Sequence, residues 1–365
     1  MLRRPESRRA RSLPKCSGTC YVAGMDGRAK FLIKFAITAL LFWLIAQRVD
    51  LASMFTLFCK AQPFWLAVSL GLVFTITVLD ALSFCTVMRI FGHKVRLAPS
   101  LLYSLVSWFF SNLAPSTLGG DIFRTMQMQR LGAPLGTALR SVLAARLMSF
   151  AALVPVILLG LPIALSLVDN AIERLTLALI GGAGVAALLV AYAGFRLVPW
   201  LAQFAGNRLS GRLLTFAEDF RRVNHSGTDT LSCWLLAAAQ HIVRVAVLAA
   251  LAASLQLDIP FSTLFALTPA ALLVAMVPIS LGSWGLREAA FVVFLGGAGI
   301  ASEAALSLSI IFGLQRVLMG GLGGLAWLAA DHRHYRIELD VGTGNSADAT
   351  RDTDAADKAD APTLR

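Results

Sequence analysis

The chain carries little charge for its length. Asp, Glu, Lys and Arg together make up 15% of its 365 residues, whereas hydrophobic residues make up 57%. A typical soluble domain has about 25% charged residues. Long apolar runs at this composition are typical of a protein that crosses a membrane several times. The composition therefore excludes an ordinary soluble domain and predicts an all-α, polytopic integral membrane protein.

Residues that could support catalysis or hold a metal are also scarce. There are five cysteines and five histidines. The cysteines show no metal-ligand spacing, and those in or beside apolar segments, Cys59, Cys85 and Cys233, are expected to be small packing residues. His241, the one histidine in the membrane core, is expected to be a hydrogen-bonded interior residue. Because no nucleotide-binding loop is present either, we expect no cofactor and no metal.

The chain has 21 acidic residues against 32 lysines and arginines, which gives a net charge of +11. Much of the surplus lies in residues 1–30, in front of an apolar segment. Such a tail could bind nucleic acid, but its position favours a cytoplasmic anchor, with Met25 as an alternative start. The segment 338–365 is acidic and lacks aromatic residues, so we expect it to be disordered. The membrane domain is therefore predicted at 31–330, with no nucleic-acid partner.

Hydropathy and length predict six full transmembrane helices. They lie near 31–46, 65–87, 138–167, 175–195, 231–255 and 304–330. Two further apolar regions, about 97–124 and 261–299, each contain a Pro/Gly break. Basic loops place both termini in the cytoplasm, and the remaining loops agree only if each broken region enters and leaves on one face. We therefore predict two re-entrant hairpins, the first from the cytoplasm and the second from outside.

The two breaks share one pattern. "SNLAPSTLGGDIFR" and "VPISLGSWGLREAAF" both fit P-x-[ST]-L-G-x-x-x-x-R when Pro115 is aligned with Pro278. The order of spans also repeats, in halves of about 31–167 and 175–330. Three crossings in each half predict that the second is inverted relative to the first. Broken helices at matching places are the best sequence pointer to a transporter's central site, although simple kinks in packed helices are an alternative.

Charged residues beside the breaks and inside the spans need partners. Each costs about 2.5–3.5 kcal/mol at mid-bilayer when unpaired, on insertion scales. The arginines are Arg124, Arg146, Arg244, Arg287 and Arg316, and the acids are Asp80, Asp121 and Glu288. Pairing leaves about two positive charges, which a phosphate-bearing guest would satisfy. The helix starts after Gly119 and Gly282 would also favour an anion. The alternative is an ion pair or a carbonyl contact within the bundle, for each of Arg140, Arg146 and Arg316.

The broken regions resemble the two signature regions of the lysylphosphatidylglycerol synthase transmembrane family, also called the flippase-like domain family. The first matches N-x-x-P-S-x-x-G-G-D-x-x-R and the second P-x-S-x-G-x-x-G-x-R-E, while "SVLAARLMS" resembles the family's arginine-bearing segment at Arg146. The resemblance covers about residues 30–330. It implies a multi-pass protein of the bacterial inner membrane with a two-fold pseudo-repeat.

Relatives in that family move an aminoacylated phospholipid between leaflets, or are linked with prenyl-phosphate sugars or hopanoid lipids. No soluble aminoacyl-transferase domain follows the last span, so we do not expect this chain to make lysylphosphatidylglycerol. We predict a lipid flippase whose partner is a membrane phospholipid or a lipid-linked phosphate. The alternatives are a membrane-embedded enzyme acting on lipid phosphates, and an accessory scaffold for a neighbouring glycosyltransferase or lipid synthase.

In this prediction Arg124 and Arg287 bind the lipid phosphate from opposite sides of a cavity. Asp121 and Glu288 orient these arginines or meet a cationic headgroup. The complete set of candidate substrate-binding residues is Asn112, Pro115, Ser116, Gly119, Gly120, Asp121, Arg124, Arg146, Ser280, Gly282, Gly285, Arg287 and Glu288.

Overall fold

The structure, a computed structural model, describes most of the predicted membrane domain. The described residues are 27–47, 50–113, 118–130, 132–168, 170–201, 218, 226–277 and 283–329. Their eleven helices are α1 (Gly27–Ala46), α2 (Leu51–Cys59), α3 (Pro63–Ile90), α4 (Leu97–Leu113), α5 (Gly119–Arg130), α6 (Leu135–Leu167), α7 (Ala171–Leu201), α8 (Thr228–Ser254), α9 (Phe261–Ala275), α10 (Leu286–Gly297) and α11 (Ser302–Ala329). The acidic tail and most of the basic tail lie outside these residues.

The predicted spans correspond to α1, α3, α6, α7, α8 and α11. In α3, α6, α8, α11 and the Ala171–Val190 part of α7, length and composition suffice for crossing a membrane. The apolar described part of α1 is shorter, at Phe35–Ile45. The nine-residue helix α2 was not predicted. Asp50 precedes it as the N-cap, and its carboxylate accepts hydrogen bonds from the Ala52 N–H (3.0 Å) and the Ser53 hydroxyl (2.6 Å).

Each broken region is a pair of short helices. α4 has 17 residues and α5 has 12, while α9 has 15 and α10 has 12. At a rise of 1.5 Å per residue each is at most about 26 Å long, which is shorter than the hydrocarbon core of about 30 Å. α4 packs against α5, and α9 packs against α10. The prediction of two hairpins is therefore confirmed, although the connecting residues 114–117 and 278–282 lie outside the described part of the chain.

The two halves run in opposite directions through the bundle. The equivalent helices α3 and α8 pack along their length and are antiparallel. Arg89, at the end of α3, pairs with Asp229 at the start of α8 (3.3 Å), and the Gln62 N–H before α3 donates to the carbonyl of Ser254 at the end of α8 (2.8 Å). A two-fold axis that relates antiparallel helices is perpendicular to them, as in inverted-repeat transporters. Because α4 follows α3 and α9 follows α8, the hairpins enter from opposite ends.

The packing between the two halves is also repeated, because α4 is equivalent to α9 and α6 is equivalent to α11. α4 of the first half packs on α11 of the second, and α9 of the second packs on α6 of the first. Both contacts are close at a glycine. A Cβ on Gly323 would lie 2.3 Å from the carbonyl carbon of Leu105, and one on Gly160 would lie 2.9 Å from the Cα of Ala266. These glycines are as far apart in sequence as the two aligned prolines, so the repeat extends beyond the broken segments.

Apolar side chains cover both the inside of the bundle and much of its outside. The main core gathers residues of α3, α8, α9, α10 and α11, with Leu248, Leu267 and Phe291 fully buried. Large apolar side chains such as Leu159 and Ile172 are exposed on α6 and α7. In a membrane the exposed side chains face lipid tails, so polar groups have their place inside the bundle.

Candidate functional site

A cavity of about 280 Å³ lies between the tips of the two hairpins. Ser111 and Gly120 line it from the first hairpin, and Met276 and Ser283 line it from the second. Segments near the middle of α8 and α11 complete the wall together with α3 and α6. The charged residues of the lining are Asp80, Asp121, Arg124, Arg146, Arg244, Arg287 and Arg316. The two breaks predicted from the sequence therefore meet at one polar, arginine-rich space.

Arg124 reaches from α5 toward α3 and α4. Its Nη2 pairs with the carboxylate of Asp80, its Nε donates to the hydroxyl of Ser107 (3.2 Å), and its Nη2 also donates to Ser104 (3.3 Å). The guanidinium lies over the ring of Phe84, 5.4 Å from the centroid. Asp80 lies within a membrane span, where a lone carboxylate would be costly, and Arg124 supplies its counter-charge.

The helix after each break has an acidic residue in its first turn. Asp121 is in the first turn of α5, and Glu288 is in the first turn of α10, where the helix dipole favours a negative charge. The carboxylate of Asp121 pairs with Arg146 of α6. Glu288 accepts hydrogen bonds from the Gly285 N–H (2.6 Å) and from the hydroxyl of Ser309 on α11 (3.2 Å). Both acids therefore tie a hairpin to the following long helix.

Arg287 is enclosed by protein. It is 2% exposed, and its neighbour Glu288 is 0% exposed. Its Nε and Nη2 donate to Oε1 of Glu288 at 3.0 and 2.5 Å, and its Nε also donates to Ser309 at 3.1 Å. The guanidinium lies 4.9 Å from the ring centroid of Trp284. A Cβ on Gly313 of α11 would lie 2.2 Å from Nη2, so that glycine leaves room for the guanidinium.

Arg244 is held by neutral groups of its own helix. Its Nη1 lies 3.0 Å from Nδ1 of His241, and its Nη2 lies 3.5 Å from Oε1 of Gln240. Arginine only donates, so Nδ1 of His241 accepts. The Nε2–H of His241 then donates to the carbonyl of Ser149 on α6 (3.0 Å). His241 is thus the hydrogen-bonded interior residue that the sequence predicted, and it orients Arg244.

Arg316 lies against an aromatic ring instead of a carboxylate. Its guanidinium is 5.6 Å from the ring centroid of Trp108 on α4. Its backbone carbonyl accepts a hydrogen bond from the side-chain amide of Asn112 (3.3 Å). Within the described residues, neither Arg316 nor Arg244 has a carboxylate partner, so the surplus charge predicted from the sequence resides on these two.

The structure divides the predicted site residues into groups. Those that line the cavity are Gly120, Asp121, Arg124, Arg146 and Arg287. Gly285 and Glu288 contact one another behind the cavity wall, and Gly119 begins α5. Asn112 bridges α4 to α11 and is absent from the lining. The predicted residues Pro115, Ser116, Ser280 and Gly282 lie outside the described part of the chain.

Two backbone amides at the helix starts are already used by the protein. The Gly120 N–H donates to the hydroxyl of Ser111 (3.2 Å), and the Gly285 N–H donates to Glu288. The prediction that the helix starts offer amides to an anion thus has no support at these two amides. Side-chain guanidinium groups are the main source of positive charge in the cavity.

Sequence reasoning left several cavity residues out of the predicted site. The sequence marks three of them, Asp80, Arg244 and Arg316, as charges within spans. That signal was sufficient to make them candidates, although they were not included in the predicted set. Nothing in their spacing showed that α3, α8 and α11 face one cavity. Ser107 and Trp108 also line it, and an ordinary serine or tryptophan in an apolar helix gives no such signal.

A comparison with protein-family models gives a match over most of the chain. A family model described as "Lysylphosphatidylglycerol synthase TM region" matches residues 31–324. The matched range includes both hairpins and every charged residue of the cavity lining. A search of curated proteins found no match.

Proposed function

The chain belongs to the family of lysylphosphatidylglycerol synthase TM regions, and we propose that it moves a phosphate-bearing lipid between the leaflets of the bacterial inner membrane. One observation carries the proposal: five arginines line a cavity between the tips of two oppositely entering hairpins. A guanidinium binds a phosphate with two parallel hydrogen bonds and keeps its charge under all physiological conditions. The cavity therefore offers a lipid headgroup a polar route through an apolar bundle.

The size of the cavity suits a headgroup without its tails. Its volume of about 280 Å³ is just below that of small-ligand pockets, which span about 300–1,000 Å³. Acyl or prenyl tails would stay among the apolar side chains and lipids outside the bundle. Because the hairpins enter from opposite ends, movement of one hairpin at a time would open the cavity to one leaflet at a time, as in other inverted-repeat transporters.

Contact of Arg124 and Arg287 with the phosphate stays a prediction within this proposal. Each has a carboxylate partner, Asp80 or Glu288, which a phosphate would have to displace. For Arg124 the exchange needs only a side-chain movement at the cavity wall. For Arg287, which is almost fully enclosed, the exchange also requires a change in the packing between α10 and α11.

The test is transport by the purified full chain in vesicles of zwitterionic lipid that contain a trace of fluorescent phospholipid. A membrane-impermeant quencher destroys the outer-leaflet signal at once, and transport exposes the inner-leaflet signal. We expect the protein to accelerate this second phase, and Arg124→Gln to slow it at least about tenfold, because a charge-assisted hydrogen bond contributes about 1.5–3 kcal/mol. Arg89→Gln is the matched control, since Arg89 pairs with Asp229 outside the cavity lining.

Folded protein that leaves the rate of the second phase unchanged for every lipid would overturn the proposal. That result would favour the accessory-scaffold alternative, in which a neighbouring glycosyltransferase or lipid synthase does the chemistry.

A further inference from the structure

The surplus positive charge of the cavity lies on two residues of the second half. Asp80, Asp121 and Glu288 neutralise three of the five arginines, which leaves Arg244 on α8 and Arg316 on α11. Both line the same cavity. Because arginine keeps its proton in proteins, each contributes one positive charge to the cavity.

The equivalent positions of the first half carry no charge. At the sequence separation that aligns the two halves, Arg244 matches Ala81 and Arg316 matches Leu153. The first half therefore builds the same architecture with apolar residues at the equivalent positions. An unpaired arginine at mid-bilayer costs about 2.5–3.5 kcal/mol on insertion scales. Two such costs in one half, without a structural counterpart in the other, indicate that the charges serve a guest.

We propose that the headgroup carried by this protein bears two negative charges, as a lipid phosphomonoester or diphosphate does, and that Arg244 and Arg316 bind it. This inference rests on the proposed function and specifies its substrate class. A headgroup with two negative charges neutralises the surplus completely. A phosphodiester with one negative charge cancels only half of the surplus, and a headgroup with no net charge or a net positive charge leaves the surplus in place.

The surroundings of both side chains suit this role. His241 accepts one hydrogen bond from Nη1 of Arg244, and Gln240 accepts one from Nη2. The remaining N–H groups of that guanidinium can therefore donate to phosphate oxygens. Trp108 holds the guanidinium of Arg316 through its ring face and leaves the N–H donors at the edge available. Neutral partners of this kind fix an arginine in position without cancelling its charge.

The experiment measures binding of short-chain probes to the purified full chain in nonionic detergent. The probes are dioctanoyl phosphatidic acid, farnesyl diphosphate, dioctanoyl phosphatidylglycerol and dioctanoyl phosphatidylcholine, with inorganic phosphate as the tail-free anion. At pH 8 we expect phosphatidic acid or farnesyl diphosphate to bind at least about tenfold more tightly than phosphatidylglycerol, because one more charged contact is made. Phosphatidylcholine should bind most weakly.

Acidity supplies an internal check. A phosphomonoester loses its second negative charge as the pH falls through about 6, whereas a phosphodiester keeps its single charge. The ratio of phosphatidic acid to phosphatidylglycerol affinity should therefore shrink toward one at pH 5. Using the ratio cancels any effect of pH that the two probes share through the protein.

Variants then assign the preference to residues. Arg244→Gln and Arg316→Gln should each bring the pH 8 ratio close to one, whereas Arg89→Gln should keep it. If a Gln variant does not fold, the wild-type probe series decides. The inference would be overturned by a preference that persists in folded Gln variants. It would also be overturned if the wild-type protein bound neither phosphatidic acid nor farnesyl diphosphate more tightly than phosphatidylglycerol.

The remaining results separate this inference from the proposed function. Inorganic phosphate binding as tightly as phosphatidic acid would identify a free anion, not a lipid, as the guest and would overturn the inference. If the protein shows the predicted binding preference but transports no lipid in vesicles, the proposed function is wrong and the assignment of the binding residues stands. If the protein transports lipid but shows no such binding preference, the proposed function stands and this inference is wrong.

Discussion

At the scale of single residues, the kind of partner decides what an arginine in the bundle can do. Arg124, Arg146 and Arg287 meet carboxylates, so their charges are cancelled within the protein. Arg244 and Arg316 meet an imidazole nitrogen and a tryptophan ring, which position the guanidinium but leave its charge. A count of charges along the sequence cannot make this distinction, because it depends on which side chains meet.

The buried Arg287–Glu288 pair yields a prediction about stability. Glu288→Gln keeps an oxygen for the Gly285 N–H but leaves Arg287 buried without its counter-charge. We expect a loss of about 3–5 kcal/mol, seen as a lower melting temperature in detergent. The double variant Arg287→Met with Glu288→Gln removes the stranded charge, so it should recover at least half of that loss.

The same double variant separates the two roles predicted for Arg287. If it melts no higher than Glu288→Gln alone, the pair is not the structural unit described above. If it is stable and still transports lipid, Arg287 has no part in holding the phosphate. If it is stable and transport is lost, Arg287 contacts the guest as the sequence analysis predicted.

At the scale of helices, glycine allows the broken segments to sit close to the long helices. Gly285 has φ +82°, a left-handed conformation that glycine adopts easily, and it lies where the chain turns into α10. Gly320, Gly323 and Gly324 of α11 face α4, where an added Cβ would come within about 3 Å of Phe109, Asn112 or Leu105. The hairpins therefore pack backbone against backbone, which is typical of helix pairs in membranes.

These close contacts predict that adding one methyl group to α11 has opposite effects at neighbouring positions. In Gly323→Ala the new Cβ meets the backbone of Leu105 at 2.3 Å, so we expect a loss of about 1–3 kcal/mol. Gly160→Ala makes the equivalent contact between α6 and α9 and should behave similarly. Gly321→Ala is the matched control, because its Cβ meets nothing within 4 Å and the change favours the helix by up to about 1 kcal/mol.

Melting temperature and the yield of monodisperse protein measure these effects. A Gly323→Ala variant as stable as Gly321→Ala would show that α4 and α11 are further apart than described.

At the scale of the whole molecule, the inverted halves give each end of the bundle one hairpin entrance. α3 and α8 run in opposite directions, and the pairs of short helices that follow them begin at opposite ends of the bundle. Lys94 lies exposed between α3 and α4, and Asp258 lies exposed between α8 and α9. The fold therefore places these two loops at opposite ends.

Which end faces the cytoplasm is predicted from the basic loops alone, and labelling in cells tests it. In a background without the native cysteines, Lys94→Cys should react with a membrane-impermeant maleimide only after the cells are permeabilised. Asp258→Cys should react in intact cells, because its loop is predicted to be outside. Labelling of both positions in intact cells would contradict the inverted arrangement, and the reversed result would contradict only the orientation.

The sequence by itself determined the class of the protein and its parts. Apolar runs of membrane length fixed where the long helices lie, since every backbone group in lipid must be hydrogen-bonded within a helix. The proline and glycine breaks fixed the two hairpins, and their shared pattern indicated the repeat. The inventory of charges inside the spans showed that about two positive charges would be left over. These properties follow from local composition and spacing, so one chain read in order is sufficient for them.

Only the tertiary structure decided which groups meet. Arg124 finds Asp80 on another helix, Arg316 finds Trp108, and α4 crosses to pack on α11 of the opposite half. Each of these contacts joins residues far apart in sequence, and their spacing carries no signal because many pairings satisfy the same charges. The cavity, and the location of its surplus charge on Arg244 and Arg316, follow from packing in three dimensions. Glycines that let backbones touch select that packing from the arrangements that the apolar pattern alone would allow.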